Sequence, residues 1–229
     1  MTTILKADAT CTTSPPTPQD AAPPTSHTAL LLIDNQLGFQ HPTHWGPARS
    51  NPRFEANTAA LLAAFRAPGS AGAPPPLIIH VYHASSDDWP DSPLHPAHPS
   101  GGIAFLPFAA PLAHEPVLSK SVNSSFIGTR LEALLRERQI RRLFIQGLST
   151  DHCVSTTTRM AGNLHVCDHV DAEGERVKGE VILVADATAA WEKPGGRWDA
   201  ETVHAVHVES LREFATVLTT EQVIELVKE

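Results

Sequence analysis

From about residue 29 the chain alternates two kinds of hydrophobic pattern. "ALLLID" (29–34), "PLIIHVYH" (76–83), "RRLFIQGL" (141–148) and "EVILVADA" (180–187) are short, nearly continuous apolar runs. "PVLSK" (116–120) and "ATVLTT" (215–220) are weaker runs of the same kind. Such runs fit strands covered on both faces, which is the situation in a parallel sheet. Between them lie segments of helical period. "NPRFEANTAALLAAFR" places Phe54, Leu61, Leu62 and Phe65 on one face, with Thr58 as the one polar interruption, Asn51 as the expected cap and Pro52 at the first helical position. "TRLEALLRERQI" has Thr129 and Glu132 at capping-box spacing ahead of Leu134 and Leu135. "DAETVHAVHVESLREF" is a third amphipathic stretch. Strands alternating with helices predict a doubly wound α/β sandwich, helices on both faces of a parallel sheet.

Two segments depart from the alternation. The Pro-rich stretch 83–115 follows a strand, where α/β proteins build binding loops. The polar stretch 167–179 reads as an inserted surface loop or hairpin. Residues 1–28, rich in Thr, Pro and Ala, read as a disordered tail without the apolar centre of a signal peptide, which leaves one domain over 29–229. A chain of 229 residues, 41% of them hydrophobic, can build one sizeable core. Its net charge of -8 argues against a nucleic-acid or anionic-membrane partner. No apolar run approaches the ~18 residues of a membrane span. Three cysteines without secretory features point to a reducing compartment, with the cytoplasm as the default.

Open α/β sheets bind ligands at the carboxyl ends of their strands, near the point where strand order reverses. Three reactive side chains fall at such ends. Asp34 closes the first run, Lys120 closes "PVLSK", and Cys153 opens the helix after "RRLFIQGL". Each has an ordinary reading alone: a turn former, a solvated cation, a small core residue. Together they put a carboxylate, an ammonium and a thiol on one sheet edge. A helix N-terminus and a nearby ammonium would both favour the thiolate, so a depressed pKa is expected at Cys153, with Cys11 and Cys167 behaving as ordinary thiols. Asp34 could take the thiol proton and return it to a departing amine.

The stretches "LLLIDNQLGF", "KSVNSSFIGTRLEALLRERQIRRLFIQGLSTDHCVSTTTRMA" and "VILVADATAAW" resemble the isochorismatase-like cysteine hydrolases, a group that includes nicotinamidases and N-carbamoylsarcosine amidases. The resemblance covers roughly residues 28–226. It implies a six-stranded parallel sheet of order 3-2-1-4-5-6, with Asp34, Lys120 and Cys153 as a catalytic triad. It also implies an oxyanion hole from the backbone N–H groups of Ser149 and Cys153, a cis bond between Leu148 and Ser149, and substrate contacts from Phe39 and Phe126. The substrate would be a small carboxamide or ureide, cleaved at a C–N bond through a thioester, in a homo-oligomer that needs no cofactor. Members lacking the cysteine cleave a vinyl ether without a covalent intermediate, and a catalytically idle binding protein is the third possibility. Nicotinamidases hold a metal with an Asp and His residues after the second strand. Here Asp88, His95 and His98 occupy that segment, but Pro90 stands where the nicotinamidase pattern has histidine, so these side chains read as solvated and no metal is expected. His152, beside the cysteine, is open to two readings, a substrate contact or an exposed first-turn residue, and His204 and His207 share one helix, where they pack or face solvent. Trp45, Trp89 and Trp191 are further candidates for the pocket wall.

Overall fold

A computed structural model describes residues 26–68 and 74–228. The expected disordered tail falls, over residues 1–25, outside the described residues, as does Cys11. The apolar runs form strands β1 (Thr28–Ile33), β2 (Leu77–His83), β3 (Val117–Lys120) and β4 (Arg142–Leu148). The polar insert forms a small antiparallel hairpin, β5 (His169–Val170) and β6 (Arg176–Val177). Strands β7 (Glu180–Ala189) and β8 (Thr216–Leu218) complete the main sheet. That sheet has six parallel strands in the order β3-β2-β1-β4-β7-β8. The expected order is thus found, with the two hairpin strands shifting the last two numbers.

Helices cover both faces, as the two-sided burial of the strands requires. On β1, Leu30 and Leu32 face one layer and Ala29, Leu31 and Ile33 the other. The first layer holds α1 (Phe54–Arg66) and α5 (Thr220–Lys228), whose Leu61, Leu62, Phe65 and Val223 share one cluster with Leu30, Leu32, Phe144 and, on β7, Ile182 and Val184. The second holds α2 (Leu131–Glu137), α3 (Ser155–Asn163) and α4 (Ala200–Leu211), through Leu131, Leu134, Leu135, Ala161 and Leu211. Each fully buried Leu or Phe contributes roughly 1.5–3 kcal/mol by leaving water. The polar interruption in the α1 stripe is satisfied: Thr58 donates to Gln146 Oε1 at 3.2 Å. Beneath the sheet end, Arg66 forks onto Glu115 at 2.7 and 2.6 Å, and buried His80 reaches the same carboxylate at 2.8 Å. Among the described residues no helix is long and apolar enough to cross a membrane.

Both expected caps are corrected. Asn51 does not cap α1, which starts later, at Phe54; Asn51 is left-handed (φ 49°) and spends its side-chain amide on the Ala185 and Thr188 carbonyls of β7. Thr129 accepts from the Leu131 N–H at 3.1 Å, but Glu132 pairs with Arg136 instead of closing a capping box. Helix α4 is capped by Asp199, which accepts from the Thr202 N–H at 2.7 Å. At the switch between β1 and β4, Gly147 has φ 131°, and a Cβ there would lie 2.0 Å from the Ile33 carbonyl oxygen. Only glycine lets the two strands meet so closely.

Candidate active site

The carboxyl ends of four adjacent strands deliver four side chains to one point. In sheet order these are Lys120 from β3, His83 from β2, Asp34 just past β1 and Cys153 beyond β4. Asp34 is left-handed (φ 54°) and fully buried, with its backbone N–H bonded to the Val81 carbonyl at 2.8 Å. After β4 the Leu148–Ser149 peptide is cis, as the resemblance implied. The chain then makes a π-type turn, Thr150–Val154, that carries Cys153 and runs into α3. Cys153 therefore sits in a wide turn that precedes the α-helix.

The Lys120 ammonium lies at the centre. It donates to Asp34 Oδ2 at 2.7 Å, to Cys153 Sγ at 3.2 Å and to His83 Nδ1 at 3.2 Å. The side chains of Lys120 and Asp34 have no exposed surface. Among the described residues Asp34 Oδ1 is buried without a hydrogen-bond partner, which leaves lone pairs free on the carboxylate. Burial alone would lower the Lys120 pKa, but the Asp34 carboxylate at 2.7 Å outweighs it and holds the ammonium above its ordinary value. Burial, and then Lys120, push His83 below the usual imidazole range.

The expectation for the thiol is corrected. Burial and the Asp34 carboxylate push Cys153 up, and Lys120 offsets only part of this. The resting side chain is a neutral thiol beside a carboxylate. Cys167 is no ordinary surface thiol either: it is buried beneath the hairpin and pushed up to about 12 by burial and by Asp168.

The thiol opens into a cleft of 660 Å³. Phe39, Trp45 and Trp191 form one wall, with ring centroids of Phe39 4.5 Å from Trp45 and 5.4 Å from Trp191. Ser149 and His152 line the floor beside Cys153, and Trp89 projects from the facing loop with 71% exposure. Phe39 lines the cleft. Phe126 is not among the lining residues; it packs in the core cluster that contains Cys153. The sequence reading missed the supports of the nucleophile turn. Ser149 Oγ donates to Asp151 Oδ1 at 2.8 Å, and His152 and Lys193 each reach Asp151 Oδ2 at 2.9 Å. Burial alone would raise Asp151, but these partners hold it well below the usual carboxylate range. His204, buried on α4, meets Thr150 Oγ1 through Nδ1 at 2.9 Å and Asn51 Nδ2 through Nε2 at 3.3 Å.

Among the described residues one group of possible metal ligands converges: Asp34, His83 and Cys153, whose donor atoms lie within 4.8 Å of one another. The Lys120 ammonium stands within bonding distance of all three, where an ion would have to sit. These residues do not fit a resident metal. Asp88, His95 and His98 do not converge either: His95 pairs with Asp87 at 3.2 Å and His98 with Ser100 at 2.7 Å.

Residues 28–222 match the family model described as the isochorismatase domain. The chain belongs to the isochorismatase family. The isochorismatase family protein YrdC of Bacillus subtilis is 38% identical over 200 residues, which cover 86% of this chain and 94% of that protein. A streptothricin hydrolase of Streptomyces noursei is 28% identical over 187 residues, covering 82% of this chain and 58% of the relative. The crystal structure of an isochorismatase-family protein from Chromobacterium violaceum superposes with a TM-score of 0.71 at 36% identity, over 90% of this chain and 98% of the other. The shared family is hydrolytic, and its architecture is the α/β fold seen here.

Proposed function

We propose that this protein is a cysteine-dependent hydrolase that cleaves a C–N bond of a small carboxamide or ureide, with Asp34, Lys120 and Cys153 as its triad. The observation that carries the reading is the Lys120 ammonium bridging Asp34 at 2.7 Å and the Cys153 sulfur at 3.2 Å at the floor of the cleft. The raised thiol pKa favours a concerted opening step. As the sulfur attacks the substrate carbonyl, its proton passes to the Asp34 carboxylate, and Lys120 faces the charge left on sulfur. The carbonyl oxygen takes the negative charge, for which the backbone N–H groups of Ser149 and Cys153 are the proposed donors. Collapse breaks the C–N bond, and the proton on Asp34 goes to the departing nitrogen. A water then attacks the thioester, giving its proton to Asp34, and the returning proton restores the thiol. Phe39 is the proposed substrate contact, with Trp45 and Trp191 completing its wall.

A cleft of 660 Å³ suits a small molecule and not a polymer. Two buried free thiols suit a reducing compartment, so we place the protein in the cytoplasm. A homo-oligomer is expected on the family resemblance, and sedimentation measures it directly. The function is tested by screening carboxamides and ureides for ammonia release with wild type and Cys153→Ala. Release by wild type alone supports the reading. Hydrolysis that survives in Cys153→Ala points instead to non-covalent ether-type chemistry.

A further inference from the structure

The proposed triad leaves His83 unassigned, yet its ring nitrogen lies 3.2 Å from the ammonium. His83 ends β2, next to β3, and its backbone is paired in register with Lys120. The ring is half-buried and lines the cleft. Lys120 donates outward through Nδ1, so that nitrogen must carry a lone pair and the hydrogen must be on Nε2.

Consider what the ammonium meets as the reaction advances. At rest its three N–H groups point at Asp34, Cys153 and His83. When Asp34 holds the thiol proton, that carboxyl is neutral and a weaker acceptor. When Cys153 is acylated, its sulfur carries no charge and accepts poorly. His83 is the one acceptor whose state does not change through the cycle.

We propose that His83 is a positioning residue: an acceptor outside the reacting groups that keeps the Lys120 ammonium aimed at Asp34 and Cys153 while those two exchange protons and acyl groups. The proposal rests on the triad reading above. It assigns His83 no proton transfer and no contact with the reacting carbonyl.

The test uses p-nitrophenyl acetate, an activated acyl donor. Its burst of nitrophenolate reports acylation of Cys153, and its steady phase reports thioester hydrolysis. His83→Leu removes the acceptor; His83→Asn puts an amide oxygen close to the place of Nδ1. Losing a hydrogen bond to a charged group corresponds to a fall of about 10- to 100-fold. The expected result is that both burst and steady rates fall by that factor in His83→Leu, with KM within about twofold of wild type. His83→Asn is expected to recover most of the loss. Thermal melting checks that each variant is folded, and His83→Ala replaces His83→Leu should the latter fail to fold. Equal impairment in the Asn and apolar variants overturns the proposal, as does a change confined to KM, or wild-type rates in His83→Leu. A burst in Cys153→Ala equal to that of wild type defeats the triad reading itself. A dead Cys153→Ala beside a fully active His83→Leu defeats the His83 proposal alone.

Discussion

The turn that carries Cys153 is braced from behind, and the brace can be measured. Thr150 is fully buried, and its hydroxyl is hydrogen-bonded to His204 Nδ1 at 2.9 Å. His204→Leu deletes that bond and strands the hydroxyl away from water, and leaving a buried polar group unpaired costs about 1–3 kcal/mol. Taking about 2 kcal/mol, and about 2–4 °C per kcal/mol for a chain of this size, the melting temperature should fall by roughly 4–8 °C. Thr150→Val is nearly isosteric and strands the imidazole nitrogen instead, so a loss of similar size, about 1–3 kcal/mol, is expected. The double variant replaces both partners with apolar groups, and neither is then left unpaired. Urea denaturation of wild type, both singles and the double closes the cycle. The double should be little worse than the poorer single, a coupling of roughly 1–2 kcal/mol. Because Thr150 opens the turn that ends at Val154, kcat should fall in the singles as well. Additive losses, with no coupling, would refute the brace and reduce His204 to ordinary packing.

Two further outcomes follow from the electrostatics. Since the Asp34 charge is one cause of the raised Cys153 pKa and Lys120 opposes it, Asp34→Asn should shift the midpoint of ultraviolet thiolate absorbance to lower pH and Lys120→Ala to higher pH, relative to a Cys153→Ala blank; the reverse order would contradict the assignment. For Glu115, burial alone would raise the pKa, but Arg66, the Leu112 N–H and His80 pull it down to about 2. A group depressed on folding stabilises above its unfolded pKa of about 4.3 and loses that contribution as pH falls toward the folded value. Wild type should therefore lose its advantage over Glu115→Gln between about pH 5 and 2.5, measured by denaturation at each pH, and a constant gap would sink the linkage.

The strands were legible because burial on both faces writes them as unbroken apolar runs, and their ends exposed Asp34, Lys120 and Cys153 as a set. What escaped is what depends on tertiary neighbours. Asn51 has the composition of a cap, but its amide is drawn to β7 carbonyls more than 130 residues away. His83 carries no local signal, and only the pairing of β2 with β3 brings it to Lys120. The direction of the Cys153 shift depends on depth of burial, which a list of nearby charges does not contain. Helix α5 begins at Thr220, two residues after β8 ends, without the Gly or Pro that would mark the change of period.

The central claim is that Cys153 becomes acylated. Take the most active carboxamide or ureide from the ammonia screen, quench turnover in acid, and measure intact protein and peptide masses. The expected result is one acyl group per chain during turnover, mapped to the peptide bearing Cys153 and absent from Cys153→Ala, which should also release no ammonia. Undiminished turnover by Cys153→Ala, with no adduct on the wild-type thiol at any time point, would contradict the account.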